Sequence, residues 1–420
     1  LLLVKIIILV FCLVYSYHGH CEVSGKVKQK KPIVLKGLPA LVDYVSATKD
    51  LIGYKFTPGK GPRIYDLVIK KIDLDGNIKW SRRLEGIEHI EDLVRSDEGR
   101  YFCLSTNPDI LWETVSQDWL EEHIDKGKTL FFNSDGKILW EKNFFGVPFV
   151  SHNGERICLC RSRYAVPYGL DEGRAYDEQN KPFTAKRDPL LIDDVVLNRK
   201  GQEILKEKFR NVVMMSSSGK LFVTATSLKN KKGKDIAKLN VHGFTSISGN
   251  DKRIAIGSLL ENDKSVYFIN NKGKVLWKRQ IETHVGAMVK VSKDGRYVLA
   301  TPAERINRES IENRMDYGGK LYCFNDKGKL LWTFTGELFE PYYWKDFSLM
   351  DISARGEYVV AVLRVAYVRQ ILYCLDGSSG KIQWKYEGPA DSRFWRLFVS
   401  DDGKQVLATN KEGLLIFQNE

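Results

Sequence analysis

The side chains best suited to catalysis are thinly spread over this 420-residue sequence, and their spacing does not assemble a reaction centre. The histidines, His18, His20, His89, His123, His152, His242 and His284, form no H-E-x-x-H motif and no close pair in the body of the chain, so no zinc site follows from them. Neither a G-x-S-x-G nucleophile elbow nor a phosphate-cradling G-x-x-x-x-G-K-[ST] loop is present. The acidic pairs Glu121-Glu122 and Asp193-Asp194 would serve glycoside chemistry only from opposite sides of a sugar, and they read as solvated charge. The cysteines, Cys12, Cys21, Cys103, Cys158, Cys160, Cys323 and Cys374, contain no C-x-x-C spacing. Most of them sit in strand-like apolar runs as small buried thiols, and no disulfide framework is expected. The expectation is therefore no catalytic residue, no metal site and no cofactor site.

What remains is recognition chemistry. Aromatic residues, with arginines beside them, gather in a few segments: Trp112 and Trp119, Tyr164 and Tyr168, then Phe339, Tyr342, Tyr343 and Trp344, then Arg393, Phe394, Trp395 and Arg396. Large flat rings and guanidinium groups are typical anchors of protein or carbohydrate contacts. For Trp344 and Trp395 a second reading stands beside that one, in which they plug a channel mouth or start an innermost strand. The elements that carry these segments decide what they can reach.

Those elements repeat. One unit is a tight turn followed by a strand bearing tryptophan, as in Asp75-Gly76-Asn77-Ile78-Lys79-Trp80 and Lys327-Gly328-Lys329-Leu330-Leu331-Trp332. Trp80, Trp140, Trp277, Trp332 and Trp384 all occupy this slot, five of the nine tryptophans, and read as wedges that dock one repeat on the next. A degenerate copy at Gly201 to Leu205 has Leu in place of Trp, and a weaker one lies at Gly233 to Ala237. The second unit is a serine, a polar turn and an alternating strand, as in Val291-Ser292-Lys293-Asp294-Gly295-Arg296-Tyr297-Val298-Leu299-Ala300. Relatives begin at Ser96, Ser151, Ser217, Ser248, Ser353 and Ser400, with a poorer one at Ser46. Glycine supplies the turn angles and the alternation marks strands with one buried face.

The two hairpins alternate along the chain, so each repeat is a four-stranded antiparallel meander, and such meanders arranged radially are β-propeller blades. Turn pairs from Ser46/Gly76 to Ser353/Gly380 give seven complete blades, and after Ser400 the chain ends one strand short of another. Ile33-Val34-Leu35 would supply that strand and close the ring. The fold class is all-β, a propeller of eight blades, with seven as the fallback if the faint fourth unit is a hairpin inserted in the third. A closed ring removes the exposed edges that an open sandwich or solenoid would keep. Only Trp112 to Ile124 and Ala303 to Met315 have helix-like composition. In a meander the turns alternate between the strand ends, which puts the short turns on one face. The long connections Asn107 to Lys128, Arg161 to Pro189, Pro302 to Lys320, Thr335 to Asp346 and Glu387 to Arg396, which carry the aromatic segments, fall on the other.

The Gly-Lys-x-x-Trp turns, above all Leu372-Tyr373-Cys374-Leu375-Asp376-Gly377-Ser378-Ser379-Gly380-Lys381-Ile382-Gln383-Trp384, resemble the tryptophan-docking repeats of the pyrroloquinoline-quinone-like propeller superfamily. That resemblance implies a propeller over nearly the whole chain beyond its first residues. The superfamily holds quinone-dependent dehydrogenases and also non-enzymatic members, among them an outer-membrane assembly lipoprotein. The dehydrogenases typically use a vicinal Cys-Cys disulfide, a calcium-ligand cluster or a heme-attachment motif, and none of these is in the sequence, so the resemblance points to the non-enzymatic members. An enzyme working in the central cavity is the alternative.

At the N-terminus, Lys5 precedes the apolar run Ile6 to Tyr15, which reads as a signal peptide over 1–16, followed by a basic linker over 17–30 and a single propeller over 31–420. A lipid anchor at Cys21 is the alternative form of attachment. The formal charge of +12 invites a nucleic-acid reading, but an exported chain rarely meets nucleic acid, and only Lys26 to Lys36 and Lys229 to Lys238 cluster. The charge reads as a solvated surface, with attraction to anionic envelope polymers or lipid head groups as the functional alternative. The expected activity is thus that of an exported, monomeric, non-catalytic scaffold that binds an envelope protein or polysaccharide through its long-loop face.

Overall fold

The structure is a computed structural model that describes residues 31–35, 41–45, 50–58, 65–73, 77–87, 89–96, 99–107, 127–143, 146–160, 175–176, 182–183, 194–207, 214–224, 226–241, 243–259, 263–283, 286–303, 319–336, 345–365, 369–389, 393–411 and 413–419. All regular structure in these residues is β, and no helix occurs among them. The two segments of helix-like composition lie, apart from Ala303, outside the described residues.

Eight four-stranded antiparallel sheets follow one another along the chain. The first runs Leu41–Val45, Asp50–Pro58, Tyr65–Asp73 and Ile78–Ile87, and the next six repeat that order of strands. The last is composite: Arg396–Val399, Gln405–Asn410 and Gly413–Gln418 are completed by Ile33–Leu35, with Ile33 opposite Ile416 and Leu35 opposite Leu414. The N-terminal strand therefore closes the ring as the leftover half-unit required. The faint fourth unit is a blade in its own right, built from the short strands Met214–Met215, Leu221–Val223, Ser227–Asn230 and Asp235–Lys238. Its turn serine is Ser216, one residue before the Ser217 expected. A small hairpin, Ala175–Tyr176 with Pro182–Phe183, stands within the long connection of the third blade.

Burial follows position in the blade rather than simple alternation. In the seventh blade Val359 to Leu363 and Ile371 to Leu375 are all fully buried, because the two middle strands are covered on both faces by neighbouring blades. The alternation read after the serine turns therefore does not mark a solvated face. It does appear on the innermost strands, such as Ala287–Val291, while on the outer strand Val275–Gln280 only Trp277 is buried. Cys103, Cys158, Cys323 and Cys374 lie buried as thiols, not disulfides, in these middle strands, and burial pushes the Cys323 thiol upward.

Both turn types have a clear local cause. At the serine turn the hydroxyl oxygen accepts the backbone N–H five residues on, as at Ser292 from Tyr297 (3.0 Å) and Ser353 from Tyr358 (3.0 Å), so a buried polar group is satisfied within its own hairpin. At the tryptophan turn an Asn or Asp carboxamide or carboxylate oxygen caps the loop. Asn325 Oδ1 accepts from Lys327 N–H and Lys329 N–H at 3.0 and 2.9 Å, and Asn270 does the same for Lys272 and Lys274 at 3.0 Å each. Just beyond, a β-bulge shifts register, between Cys323 and Phe324 in the sixth blade and between Phe268 and Ile269 in the fifth. The extra residue re-aims the following side chain, which turns the tryptophan toward the next blade.

There it docks. Indole N–H groups donate to carbonyl oxygens one blade on: Trp80 to Ser134 (2.6 Å), Trp140 to Arg199 (3.0 Å), Trp277 to Asp326 (3.1 Å) and Trp332 to Gly377 (2.9 Å). Each ring also lies against the turn glycine of that blade, so that a Cβ at Gly328 would stand 2.7 Å from Trp277 Cγ. Where tryptophan is missing, the turn rests on what replaces it, Gly233 on Leu205 and Gly273 on Ala237. A second series at the serine turns sets Tyr101 over Gly154, Tyr297 over Gly356 and Tyr358 over Gly403.

Candidate protein-binding face

Serine turns and tryptophan turns share one end of the ring, where backbone bonds such as Gly295 N–H to Ser292 O (2.9 Å) and Gly328 N–H to Asn325 O (2.9 Å) keep them short. The long connections leave from the other end, between Asn107 and Lys128, Cys160 and Asp194, Pro302 and Leu321, Phe334 and Lys345, and Glu387 and Arg396. Of the recognition residues expected there, Phe339, Tyr342, Tyr343 and Trp344 lie outside the described residues. Arg393, Phe394, Trp395 and Arg396 are described, and the structure sorts them differently.

Phe394 is 5% exposed. It packs edge-on against Tyr386 (centroids 6.4 Å apart, 72°), and its backbone N–H donates to the buried Gln370 Oε1 at 2.6 Å. Its side chain belongs to the core between the seventh and eighth blades. Trp395, one residue on, is 40% exposed while its N–H donates to Thr409 O at 2.9 Å, which fixes it as the lead-in to the innermost strand Arg396–Val399. Arg393 is exposed and Arg396 half-buried. Successive residues entering a strand point to opposite sides, so one aromatic of the pair faces the core and the other the loop face.

The same end of the channel holds a feature that residue spacing did not reveal, a cavity of about 460 Å³ between the innermost strands of the fourth to seventh blades. Met214, Met288, Leu349 and Met350 line it together with Phe244, which is half-exposed within the channel wall. Three of the five methionines thus meet in one place, each from a different blade, and no spacing rule links them. Methionine is adaptable and suits a surface that receives apolar groups of varied shape. Polar groups are few. The hydroxyl of Ser348 is buried without a hydrogen-bond partner among the described residues, and Lys290 is paired with Asp351 at 3.0 Å. Asp351 also accepts Val399 N–H at 3.0 Å, which ties the seventh blade to the eighth.

On the flank of the fifth blade, Tyr267 donates its hydroxyl to Asp263 at 2.5 Å, Lys278 pairs with Asp263 at 3.2 Å, and the ammonium lies 4.8 Å from the Tyr267 ring centre. Burial alone would raise the Asp263 carboxyl, but the nearby Ser265 hydroxyl, the Tyr267 hydroxyl and the Lys278 ammonium outweigh it and hold the group below its ordinary value. Among the described residues no cluster of His, Cys, Asp and Glu is arranged to hold a metal ion, and no helix is long and apolar enough to cross a membrane.

Comparisons with known proteins agree with this architecture. Residues 262–417, from the fifth blade to the last strand, match the sequence model of the family described as "Outer membrane protein assembly factor BamB". No curated protein matches the chain in sequence. Among solved structures, the C-terminal WD40 domain of Sif2 aligns with a TM-score of 0.57 at 11% identity, covering 94% of this chain and all (100%) of that one. The Cps50 (Swd1) β-propeller domain of Myceliophteria thermophila aligns with a TM-score of 0.49 at 12% identity, covering 94% of this chain and 100% of that domain. At that identity the likeness to the Sif2 domain is one of fold. The chain is an eight-bladed β-propeller whose later blades, over residues 262–417, match the sequence model of that family.

Proposed function

We propose that this chain is an exported, non-catalytic propeller scaffold that captures a protein partner of the cell envelope on its long-loop face. The observation that carries the reading is the convergence at one end of the ring of the long connections, the outward-facing Trp395 beside Arg393, and the methionine-lined cavity. A rigid ring that presents uneven loops around an apolar recess suits recognition, since loops held by a regular scaffold are where binding surfaces usually form. Export is supported by the apolar run Ile6 to Tyr15 behind Lys5, and an envelope partner by the BamB family's description as an outer-membrane protein assembly factor.

The test is a pull-down from envelope extract that compares the wild type with the Tyr343→Ala/Trp344→Ala variant and, separately, with Trp395→Ala. One protein partner retained by the wild type and lost in the variants supports the reading. Equal capture by all three removes the long-loop face from it, and retention of polysaccharide alone replaces the protein partner with a glycan.

A further inference from the structure

The opposite end of the ring has its own surface, and it does not depend on the long-loop reading. The tryptophan turns of the fourth, fifth and sixth blades are neighbours there, since Gly273 rests on Ala237 and Gly328 on Trp277. Lys231, Lys232 and Lys234 stand on the first turn, Lys272 and Lys274 on the second, and Lys327 and Lys329 on the third. All seven are exposed or half-exposed, and none forms an ion pair among the described residues. The acidic residues in these turns are Asp235, engaged by Lys229 at 2.8 Å, and Asp326, whose backbone carbonyl receives Trp277. The patch is therefore strongly positive.

It is also apolar. Ile236, Val275, Leu276 and Leu330, at the start of the same outer strands, are between 39% and 50% exposed. The cause is structural: the bulge that aims the docking residue, Ala237 or Trp277, at the next blade leaves Ile236 and Leu276 as the extra, outward residues of their strands. Lysines alone would be accounted for as protection of the outer strands against pairing with another sheet, but four aliphatic side chains beside them work against that purpose. A soluble polyanion would use the lysines and leave the aliphatics in water. An anionic bilayer uses both, ammonium groups at the phosphates and aliphatics at the boundary with the acyl chains.

We propose that this short-turn rim of the fourth to sixth blades docks on the surface of an anionic phospholipid bilayer, leaving the long-loop face turned away from the membrane. The experiment is sedimentation of the full chain with vesicles of phosphatidylglycerol and phosphatidylcholine in equal parts, read as the difference from pure phosphatidylcholine vesicles. Any contribution of the apolar N-terminal residues is common to all variants. The wild type is expected to partition to the anionic vesicles and to be released by salt. Lys272→Gln/Lys274→Gln/Lys329→Gln should lower that partitioning about a hundredfold, at roughly fivefold for each lysine. Leu276→Ser/Leu330→Ser should lower it several-fold with the same melting temperature, because both side chains already face solvent. No preference for anionic vesicles overturns the proposal, as does partitioning that the lysine variant leaves unchanged. Loss in the lysine variant with full retention in the serine variant also overturns it, in favour of a surface for soluble polyanions.

Discussion

The indole N–H of Trp384 donates to Oδ1 of Asn419 at 2.7 Å. In four earlier blades the acceptor is a backbone carbonyl of the next blade's turn, but the eighth blade takes its outer strand from the other end of the chain and has no such turn. Asn419 substitutes for it. Its Nδ2 donates to Gly403 O at 2.6 Å and its backbone N–H to Lys404 O at 2.7 Å, so one side chain joins the seventh blade to the eighth at the point of closure. Asn419→Ala leaves the Trp384 N–H, in a ring that is 3% exposed, without its acceptor. The expected cost is about 1–3 kcal/mol, read as a lower urea midpoint at unchanged m-value.

Two glycines with nearly the same backbone separate angle from packing. Gly86 has φ +72° and nothing within 4 Å of the place a Cβ would take, whereas Gly328 has φ +76° with Trp277 Cγ 2.7 Å from that place. Gly86→Ala should cost roughly 1–2 kcal/mol, the penalty of a left-handed alanine. Gly328→Ala adds the displacement of a docked indole, roughly another 1–3 kcal/mol. Thermal unfolding of both variants measures the difference, and equal losses would mean that the tryptophan seam yields freely.

The contrast between these seams also explains how far the sequence was legible. A Trp-Gly pair demands two residue types at fixed offsets, so five copies announced the blades, and a strand missing at one end with an apolar triplet at the other announced closure. Around the fourth blade Leu205 and Ala237 do the docking, and strands of two to four residues carry little pattern, which is why the blade count stayed open between seven and eight. The Tyr297-on-Gly356 type of contact was not legible, because a tyrosine opening a strand has many uses and its partner lies in another blade. The cavity was hidden for the same reason: Met214, Met288 and Met350 become neighbours only when the ring is built.

Alkaline pH should loosen the sixth and seventh blades. Burial, followed by the negative charge of Glu282, pushes the Tyr322 phenol up to about 12 from its ordinary 10, and burial drives Tyr373 further in the same direction. Above pH 10 the unfolded chain gives up these protons first, so stability is fully present below pH 10 and declines as pH rises through the Tyr322 value. From Tyr322 alone the decline is on the order of 2 kcal/mol. Urea midpoints followed across this range should fall for the wild type and stay flatter for Tyr322→Phe/Tyr373→Phe. A parallel fall in both proteins would assign the alkaline loss to other groups.

Phe394 and Trp395 make the sharpest test of the long-loop face, because adjacent aromatics of similar size have opposite surroundings. Phe394→Ala empties a site between Tyr386 and the core of the eighth blade and should cost about 3–5 kcal/mol. Any loss of partner binding in that variant would follow from the fold. Trp395→Ala removes a ring that is 40% exposed and keeps the backbone bond to Thr409, so the melting temperature should move little. If the loop face binds the partner, affinity should drop by about 2 kcal/mol or more, as for an aromatic anchor at the centre of an interface. Calorimetry of each variant alone, then titration with the partner recovered from the pull-down, separates the two effects. Unchanged affinity in Trp395→Ala at full stability would confine the tryptophan to starting its strand, and recognition would then rest on the loops between Phe334 and Lys345.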